Sequence, residues 1–153
     1  MQTPTERLGA MGITLPNPPT PVAAYVPWVR TGNLVFVSGQ IPLREGSLLA
    51  TGIVGSEVDM EQALACARQC AINAMAVVGQ AVGSIDQVRR VVKVGVFVAC
   101  APGFRQQPKV ANGASELFQQ VFGEAGRHAR AAVGCSDLPL GAPVEVEAVF
   151  EVA

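Results

Sequence analysis

Residues 144–152, VEVEAVFEV, alternate between apolar and acidic side chains with the two-residue period of a β-strand. One side of this predicted strand is Val144, Val146, Ala148, Phe150 and Val152, and the other is Glu145, Glu147, Val149 and Glu151. We expect the first set to lie beneath helices and the acidic set to occupy an uncovered face of a sheet.

A spacing of three and four residues in the middle of the chain predicts a long helix. Within EVDMEQALACARQCAINAMAVVGQAV, apolar side chains recur at Leu64, Ala67, Ala71, Met75, Val78 and Val82. Asp59 is suited to cap the start of this helix, and Gly83 to end it. A second, shorter helix is predicted for ASELFQQVFGEAG, with Asn112 as its cap and APGFRQQPKVANG as the loop before it.

Further apolar runs predict the remaining strands. AAYVPWVRTGNLVFVSGQIP indicates two strands joined by a turn at Gly32 and Asn33, and Pro27 favours an edge position for the first. LREGSLLATG indicates a short third strand, QVRRVVKVGVFVAC an internal strand, and HARAAVGC the strand before the last. The order β-β-β-α-β-α-β-β predicts an α+β fold in which two helices cover one face of a sheet.

The 153 residues are expected to form one domain behind a short N-terminal extension. In TPTERLGAMG, the spacing of Thr3 and Glu6 fits the capping box of a short helix, whereas LPNPPTP is too rich in proline to be anything but a loop. We therefore assign residues 1–21 to the extension and residues 22–153 to the domain.

Composition narrows the class of protein. Hydrophobic residues make up 50% and charged residues 15%, which favours an oligomer whose subunits cover part of the sheet. A net charge of −1 disfavours nucleic-acid binding, and polar residues interrupt the longest apolar stretch, which disfavours a membrane span. Without an apolar signal segment, the four cysteines are expected as free thiols in the cytoplasm, with Cys66 and Cys70 in the core rather than on a metal.

For a few polar residues, the sequence allows both a structural and a functional interpretation. Arg130 stands among alanines, where its planar guanidinium can pair with a glutamate of the adjacent strand or bind a carboxylate ligand. Pairing alone favours the ion pair within the sheet. Ser38 ends an apolar strand and can simply satisfy a turn, and Tyr25 can simply pack at an edge or interface.

Two segments together resemble the Rid family, the reactive-intermediate deaminases of the YjgF type. They are GNLVFVSGQIP and ARAAVGCSDLPLGAPVEVEA, and the similarity runs from about Tyr25 to Val152. The resemblance implies a chorismate-mutase-like fold, a homotrimer with sites between subunits, and hydrolysis of enamines and imines to 2-oxo acids and ammonia. It implies no cofactor and no metal.

The same resemblance assigns roles by position. Arg130 corresponds to the arginine that grips the substrate carboxylate, and Glu145 to the glutamate that activates water. Ser38 corresponds to the serine of the SGQ signature, and Tyr25 to the upstream tyrosine of the site. The substrate-binding residues that it implies, in addition to Arg130, are Gly39, Phe104, Asn112 and Ala132. On this reading the apolar strand ends at Ser38 because it reaches an intersubunit pocket there.

The chain departs from the common family pattern in two places next to Arg130. Ala132 replaces a cysteine, and Gly126-Arg127-His128 replaces the usual proline entry. A trimer that binds small carboxylates without turnover is the main alternative. A ribonuclease is disfavoured by the net charge and by the single histidine, and a chorismate mutase requires more cations around a dicarboxylate than Arg130 alone.

Overall fold

A computed structural model describes residues 1–18, 20–21 and 23–153. The predicted proline-rich loop and the predicted boundary after residue 21 include or adjoin Pro19 and Val22, which lie outside the described residues. In chain order, the elements are α1 (Pro4–Ala10), β1 (Trp28–Thr31), β2 (Leu34–Gln40), β3 (Leu43–Arg44), β4 (Ser47–Leu48), α2 (Met60–Val82), β5 (Val88–Ala99), α3 (Gln107–Phe122), β6 (Ala129–Cys135) and β7 (Val144–Val152).

The long helix α2 begins and ends where the sequence predicts. The Asp59 carboxylate accepts a hydrogen bond from the Gln62 backbone at 2.8 Å, and the Gln62 side chain accepts one from the Asp59 backbone at 3.0 Å. These two bonds form a capping box, which satisfies backbone donors that the first turn of a helix leaves free. Gly83 ends the helix in the left-handed conformation.

Helix α3 starts earlier than predicted, and two predictions are wrong as a result. Residues 107–113 are helical rather than part of a loop, and Asn112 lies inside the helix rather than at its cap. Pro108 occupies the first turn, where a missing N–H costs nothing, so it does not stop the helix. Burial of Val110 and Ala111 in the core stabilises this added turn.

The sheet has five strands in the order β1-β2-β7-β5-β6. Strands β5 and β6 are parallel, and every other neighbouring pair is antiparallel. The predicted edge position of β1 and the internal position of β5 are confirmed. The predicted third strand is wrong in one respect, because residues 43–48 form a separate small hairpin, β3–β4, outside the sheet.

The two faces of the sheet differ as the alternation in β7 predicts. Val144, Val146, Ala148, Phe150 and Val152 are buried beneath α2 and α3. Phe150 meets Phe118 of α3 edge-on, with ring centroids 5.9 Å apart. We call the other side the open face; it carries Glu145, Glu147, Glu151, Val29, Phe36, Phe97 and Val133.

Helix α1 packs on the domain rather than projecting from it. Its predicted capping box between Thr3 and Glu6 is present, Leu8 is buried, and the Arg7 guanidinium donates to the carbonyl of Val121 in α3 at 3.1 Å. No helix in the described part of the chain combines the length and apolar character needed to cross a bilayer. Cys66 and Cys70 are buried free thiols of the core, as predicted.

Candidate functional site

A bulge at the end of β2 brings Gly39 against Glu145. The pairing of β2 with β7 shifts between Val37 and Gln40, so that residues 38 and 39 have no regular partner there. A Cβ added to Gly39 would lie 2.9 Å from the carboxyl carbon of Glu145. The absence of a side chain at Gly39 therefore leaves room for the carboxyl group of Glu145.

Ser38 connects this bulge to the segment that carries Tyr25. Its hydroxyl donates to the Val26 carbonyl at 2.7 Å, and its backbone N–H donates to the Pro27 carbonyl at 2.9 Å. Ser38 thus satisfies a local backbone group, which was the simpler of its two readings. The same bonds hold Tyr25, a residue that is 57% exposed, beside the strand end.

A cavity of about 410 Å³ opens beside the bulge. It is lined by three of the predicted site residues, Tyr25, Ser38 and Gly39. Its apolar walls are Pro16, Pro18, Pro21, Ile41, Leu43, Ala76 and Val77. Buried Asn73 holds the 41–43 wall in place, because its side-chain amide donates to the carbonyls of Ile41 and Leu43 at 3.0 Å each.

Glu145 occupies a setting that favours its protonated form. The side chain is half-buried on the open face, and Glu147 lies on the same face two residues away. Burial, and to a smaller extent the charge of Glu147, raises the pKa of Glu145 above the ordinary value of a glutamate. A carboxylate with a raised pKa is a stronger base and accepts a proton from water more readily.

Arg130 lies on the other side of the sheet, facing α3. In the register of β6 with β5 it pairs with Val94, which is buried under the helices. Its Nη1 donates to the Asn112 side-chain oxygen at 2.8 Å and to the Ser115 hydroxyl at 3.2 Å. The structure therefore places Asn112, one of the predicted binding residues, in direct contact with Arg130.

The predicted ion pair between Arg130 and a glutamate of the neighbouring strand is wrong. Strand β6 borders β5 only, and the glutamates of β7 lie one strand further away on the opposite face. Within residues 1–18, 20–21 and 23–153, the one ion pair joins Arg127 and Glu124, 3.6 Å apart and both exposed. Arg130 instead presents an exposed guanidinium held by neutral side chains.

Ala132 and Phe104 lie further along the same edge. Ala132 follows Arg130 by two residues on the helix-covered face, and both Ala132 and Phe104 pack against the core. Gln107 connects this region to α3 because its side-chain amide donates to the Phe104 carbonyl at 2.9 Å. These residues and Asn112 form a strip beside Arg130 between α3 and β6.

The predicted site residues thus form two groups in a single chain. The first group, Tyr25, Ser38, Gly39 and Glu145, lies where β2 meets β7. The second, Phe104, Asn112, Arg130 and Ala132, lies along β6. Three strand spacings separate β2 from β6, roughly 14 Å at the usual distance between strands, and Arg130 and Glu145 are on opposite faces.

Three residues that lie beside the second group were not predicted from the sequence: Gln107, Ser115 and His128. The sequence predicts a loop at Gln107 and shows no distinguishing pattern at Ser115. At His128 it shows only a departure from the family pattern. The structure puts the His128 ring 2.8 Å from the Ser115 hydroxyl, next to Arg130. The one sequence feature that could have pointed to Ser115 is its polar side chain on the predicted inner side of α3.

Comparison with known proteins places this arrangement in a family. The family model described as "YjgF/chorismate_mutase-like, putative endoribonuclease" matches residues 5–151. Protein TCP17 of Trypanosoma cruzi is 45% identical over 94% of this chain and 91% of its own. A 2-iminobutanoate/2-iminopropanoate deaminase of Dermatophagoides farinae is 33% identical over 90% of this chain and 92% of its own.

A solved structure agrees with this assignment. The crystal structure of Agrobacterium tumefaciens Atu1372, a protein of unknown function, is 46% identical and has a TM-score of 0.90, covering 98% of this chain and 92% of its own. The predicted chorismate-mutase-like fold is confirmed, while the homotrimer stays a prediction. With a matched family model over almost all its length, the chain belongs to the Rid, or YjgF/RutC, family.

Proposed function

We propose that this protein hydrolyses 2-imino acids and their enamine tautomers to 2-oxo acids and ammonia. The observation that carries the proposal is the half-buried Glu145, whose carboxyl has a raised pKa and lies against Gly39, a residue that also lines the cavity. Family membership and one deaminase among the relatives support the same reaction. The endoribonuclease in the family description lacks comparable support here, because a net charge of −1 does not favour an RNA ligand.

The reaction divides between the two groups of residues. Arg130 holds the substrate carboxylate and thereby orients the imine carbon. Glu145 accepts a proton from a water molecule as the water oxygen bonds to the carbon of the protonated imine and the C=N π electrons move to the nitrogen, which gives a neutral tetrahedral carbinolamine. Glu145 then gives this proton to the nitrogen. As the carbon–nitrogen bond breaks and its electron pair leaves with ammonia, the hydroxyl group passes its proton to the Glu145 carboxylate and becomes the carbonyl of the 2-oxo acid; the carboxyl then releases that proton to water. Imines hydrolyse in water unaided, so the enzyme has a small barrier to lower.

The complete site is proposed to form between two copies of the chain. Arg130 and Glu145 face away from each other in one chain, so a single subunit cannot apply both to one substrate molecule. The open face carries exposed apolar side chains, including Val29, Phe36 and Val133, which a neighbouring subunit would cover. A homotrimer with three intersubunit sites satisfies both observations, with Arg130 supplied by one subunit and Glu145 by the next.

The cavity beside Ser38 and Gly39 is proposed to take the substrate side chain. Prolines, Ile41 and Leu43 form its walls, so a hydrocarbon side chain fits better than a charged one. An acidic side chain would lose its hydration against these walls and would meet the carboxyl group of Glu45, which also lines the cavity. We therefore expect imines derived from leucine or methionine to react faster than those derived from glutamate.

An assay with in situ substrate tests the reaction. An amino-acid oxidase generates 2-imino acids from a panel of amino acids, and semicarbazide traps whatever imine remains. We expect the wild type to deplete the imine and Arg130→Ala to lose this activity. Arg127→Ala is the matched control, because Arg127 is exposed and, among the described residues, its one ion pair is with Glu124. Binding of a 2-oxo acid without hydrolysis of any imine would instead support the non-catalytic binding module.

Complementation between two inactive variants tests the shared site. Arg130→Ala and Glu145→Gln are each expected to be inactive alone. When the two are unfolded together and refolded as a mixture, about a quarter of the intersubunit sites should combine an intact Arg130 with an intact Glu145. Recovered activity near that fraction supports the assembly, whereas no recovery from a well-folded mixture contradicts it.

A further inference from the structure

A chain of hydrogen bonds leads from a backbone carbonyl to Arg130. His128 Nδ1 lies 2.7 Å from the carbonyl oxygen of Gly126, and its Nε2 lies 2.8 Å from the Ser115 hydroxyl. That hydroxyl also accepts from Nη1 of Arg130, which donates to Asn112 as well. Ser115 and His128 belong to different elements, so the chain joins α3 to the start of β6.

The direction of each bond follows from the chemistry of the atoms. A carbonyl oxygen only accepts, so Nδ1 of His128 must carry the hydrogen that points at Gly126. In a neutral imidazole, Nε2 is then an acceptor, and the Ser115 hydroxyl donates its single hydrogen to it. The lone pairs of Ser115 are thereby left facing Arg130, which is the orientation that a guanidinium donor needs.

The residues of this hydrogen-bond network are held rigidly by their surroundings. Ser115 is only 5% exposed, and the His128 ring is half-buried and packs edge-on against Phe118 with centroids 5.8 Å apart. The two hydrogens of Nη1 of Arg130 are used by Asn112 and Ser115. In the part of the chain that the structure describes, Nε and Nη2 of Arg130 make no hydrogen bond. This free edge carries two parallel N–H groups, which match the two oxygens of a carboxylate.

We propose that Ser115 and His128 are positioning residues for Arg130, which fix its Nη1 so that the Nε–Nη2 edge faces the substrate carboxylate. This inference rests on the proposed function, since it assumes that Arg130 binds the carboxylate of a 2-imino acid. It gives a part in substrate binding to His128, which lies just before β6, where this sequence departs from the usual family pattern.

This hydrogen-bond network should hold Arg130 in position only while His128 is neutral. A second proton would turn Nε2 into a donor, leave the Ser115 hydrogen without its acceptor, and place a second cation behind Arg130. Burial, and less strongly the charge of Arg130, lowers the pKa of His128, whereas the bond to Gly126 opposes the shift. Other charged groups also lie around His128. Lys93 is on the open face, where it is opposite Ala129 in the strand register, and Arg127 and Glu124 form an ion pair with each other.

Steady-state kinetics of imine hydrolysis between pH 5 and pH 8 test the proposal. For Ser115→Ala we expect KM to rise about tenfold with kcat nearly unchanged, because the carboxylate is held equally in the ground and transition states. His128→Phe keeps a ring against Phe118 but removes the acceptor, and should behave like Ser115→Ala. His128→Gln offers a non-titrating acceptor and should restore KM at pH 7. In the wild type KM should rise as the pH falls through the pKa of His128, and this rise should disappear in His128→Gln.

The single histidine permits a direct spectroscopic check. Because His128 is the only histidine in the chain, its imidazole NMR signals need no assignment by mutation. We expect the Nδ1–H tautomer at pH 7; the Nε2–H tautomer would overturn the proposal, as would a KM for Ser115→Ala equal to that of the wild type. A structural role alone would lower the melting temperature and kcat without moving KM or its pH dependence.

A binding measurement distinguishes failure of the proposed function from failure of the positioning role. If the wild type hydrolyses no imine, the Kd of 2-oxobutanoate is measured by calorimetry in the wild type, Ser115→Ala and Arg130→Ala. Binding that weakens about tenfold in Ser115→Ala and is lost in Arg130→Ala overturns the reaction but supports the positioning role. An absence of both hydrolysis and binding in the wild type overturns both.

Discussion

Replacing Gly39 by alanine should damage activity far more than stability. The added Cβ would lie 2.9 Å from the carboxyl carbon of Glu145 and 3.1 Å from its Oε1, whereas ordinary contact begins near 3.4 Å. Gly39 does not have a positive φ, so alanine suits its backbone. The strain therefore falls on the far end of the Glu145 side chain, which can move.

The magnitude follows from that displacement. The carboxyl must retreat by at least about 0.5 Å, and a misplacement of about 1 Å in a catalytic group costs on the order of a hundredfold. We therefore expect kcat/KM for imine hydrolysis to fall about ten- to a hundredfold. Stability should change by less than about 1 kcal/mol, because the reduced freedom of the unfolded chain offsets the remaining contact.

Gly95 provides a matched control on the same face. A Cβ there would lie 2.9 Å from Oε1 of Glu147, so Gly95→Ala imposes a similar clash on a glutamate that is not assigned to the reaction and affects Glu145 only through its charge. Gly95→Ala should keep most of its activity. If both variants lose activity equally, or if Gly39→Ala matches the wild type, the assignment of Glu145 is refuted.

Three further predictions concern charge, capping and thiol reactivity. Glu145→Gln should be more stable than the wild type at pH 7. This difference in melting temperature should shrink as the pH falls through the raised pKa of Glu145 and vanish below the ordinary value of 4.5, where the wild-type carboxyl is protonated in the folded and in the unfolded state; a constant difference would contradict this prediction. Asp59→Ala removes the capping box of α2 and should cost about 1 kcal/mol, or about 2–4 °C in a thermal melt, whereas no change would show that the cap is dispensable. Burial raises the pKa of Cys66 to about 11 and raises the pKa of Cys70 as well, so peptide mass spectrometry should find both unmodified after native treatment with iodoacetamide at pH 8 and modified after denaturation.

The sequence was most informative where one periodic pattern ran for several turns or pairs. The alternation in β7 and the apolar stripe of α2 each predicted an element and the face that it buries. The start of α3 was missed because Pro108 and a run of polar residues resemble a loop, and only packing of Val110 and Ala111 decides for a helix. The β3–β4 hairpin was misplaced because strand propensity does not specify a pairing partner.

The candidate site was predictable as a set of residues but not as an arrangement. Short motifs pointed to Arg130, Glu145 and Ser38, yet nothing in them shows that Arg130 faces α3 while Glu145 faces the open side. That division depends on strand order, which contacts between distant parts of the chain determine. Ser115 and His128 could not be predicted for the same reason. They are 13 positions apart in the sequence, and their hydrogen bond exists only in the folded chain.

The position of β7 has a consequence for how the chain acquires its structure. Strand β7 follows every other strand in sequence but lies third in the sheet, where it alone joins the β1–β2 pair to the β5–β6 pair. During synthesis, the two pairs therefore have no common partner until residues 144–152 leave the ribosome. Until then Val35, Val37, Val94 and Val96 lack the strand that completes their side of the core. Such non-local closure slows folding and exposes strand edges in the meantime. Nascent chains arrested before Val144 should thus be open to chaperones and proteases, and release of β7 should be the step that protects them.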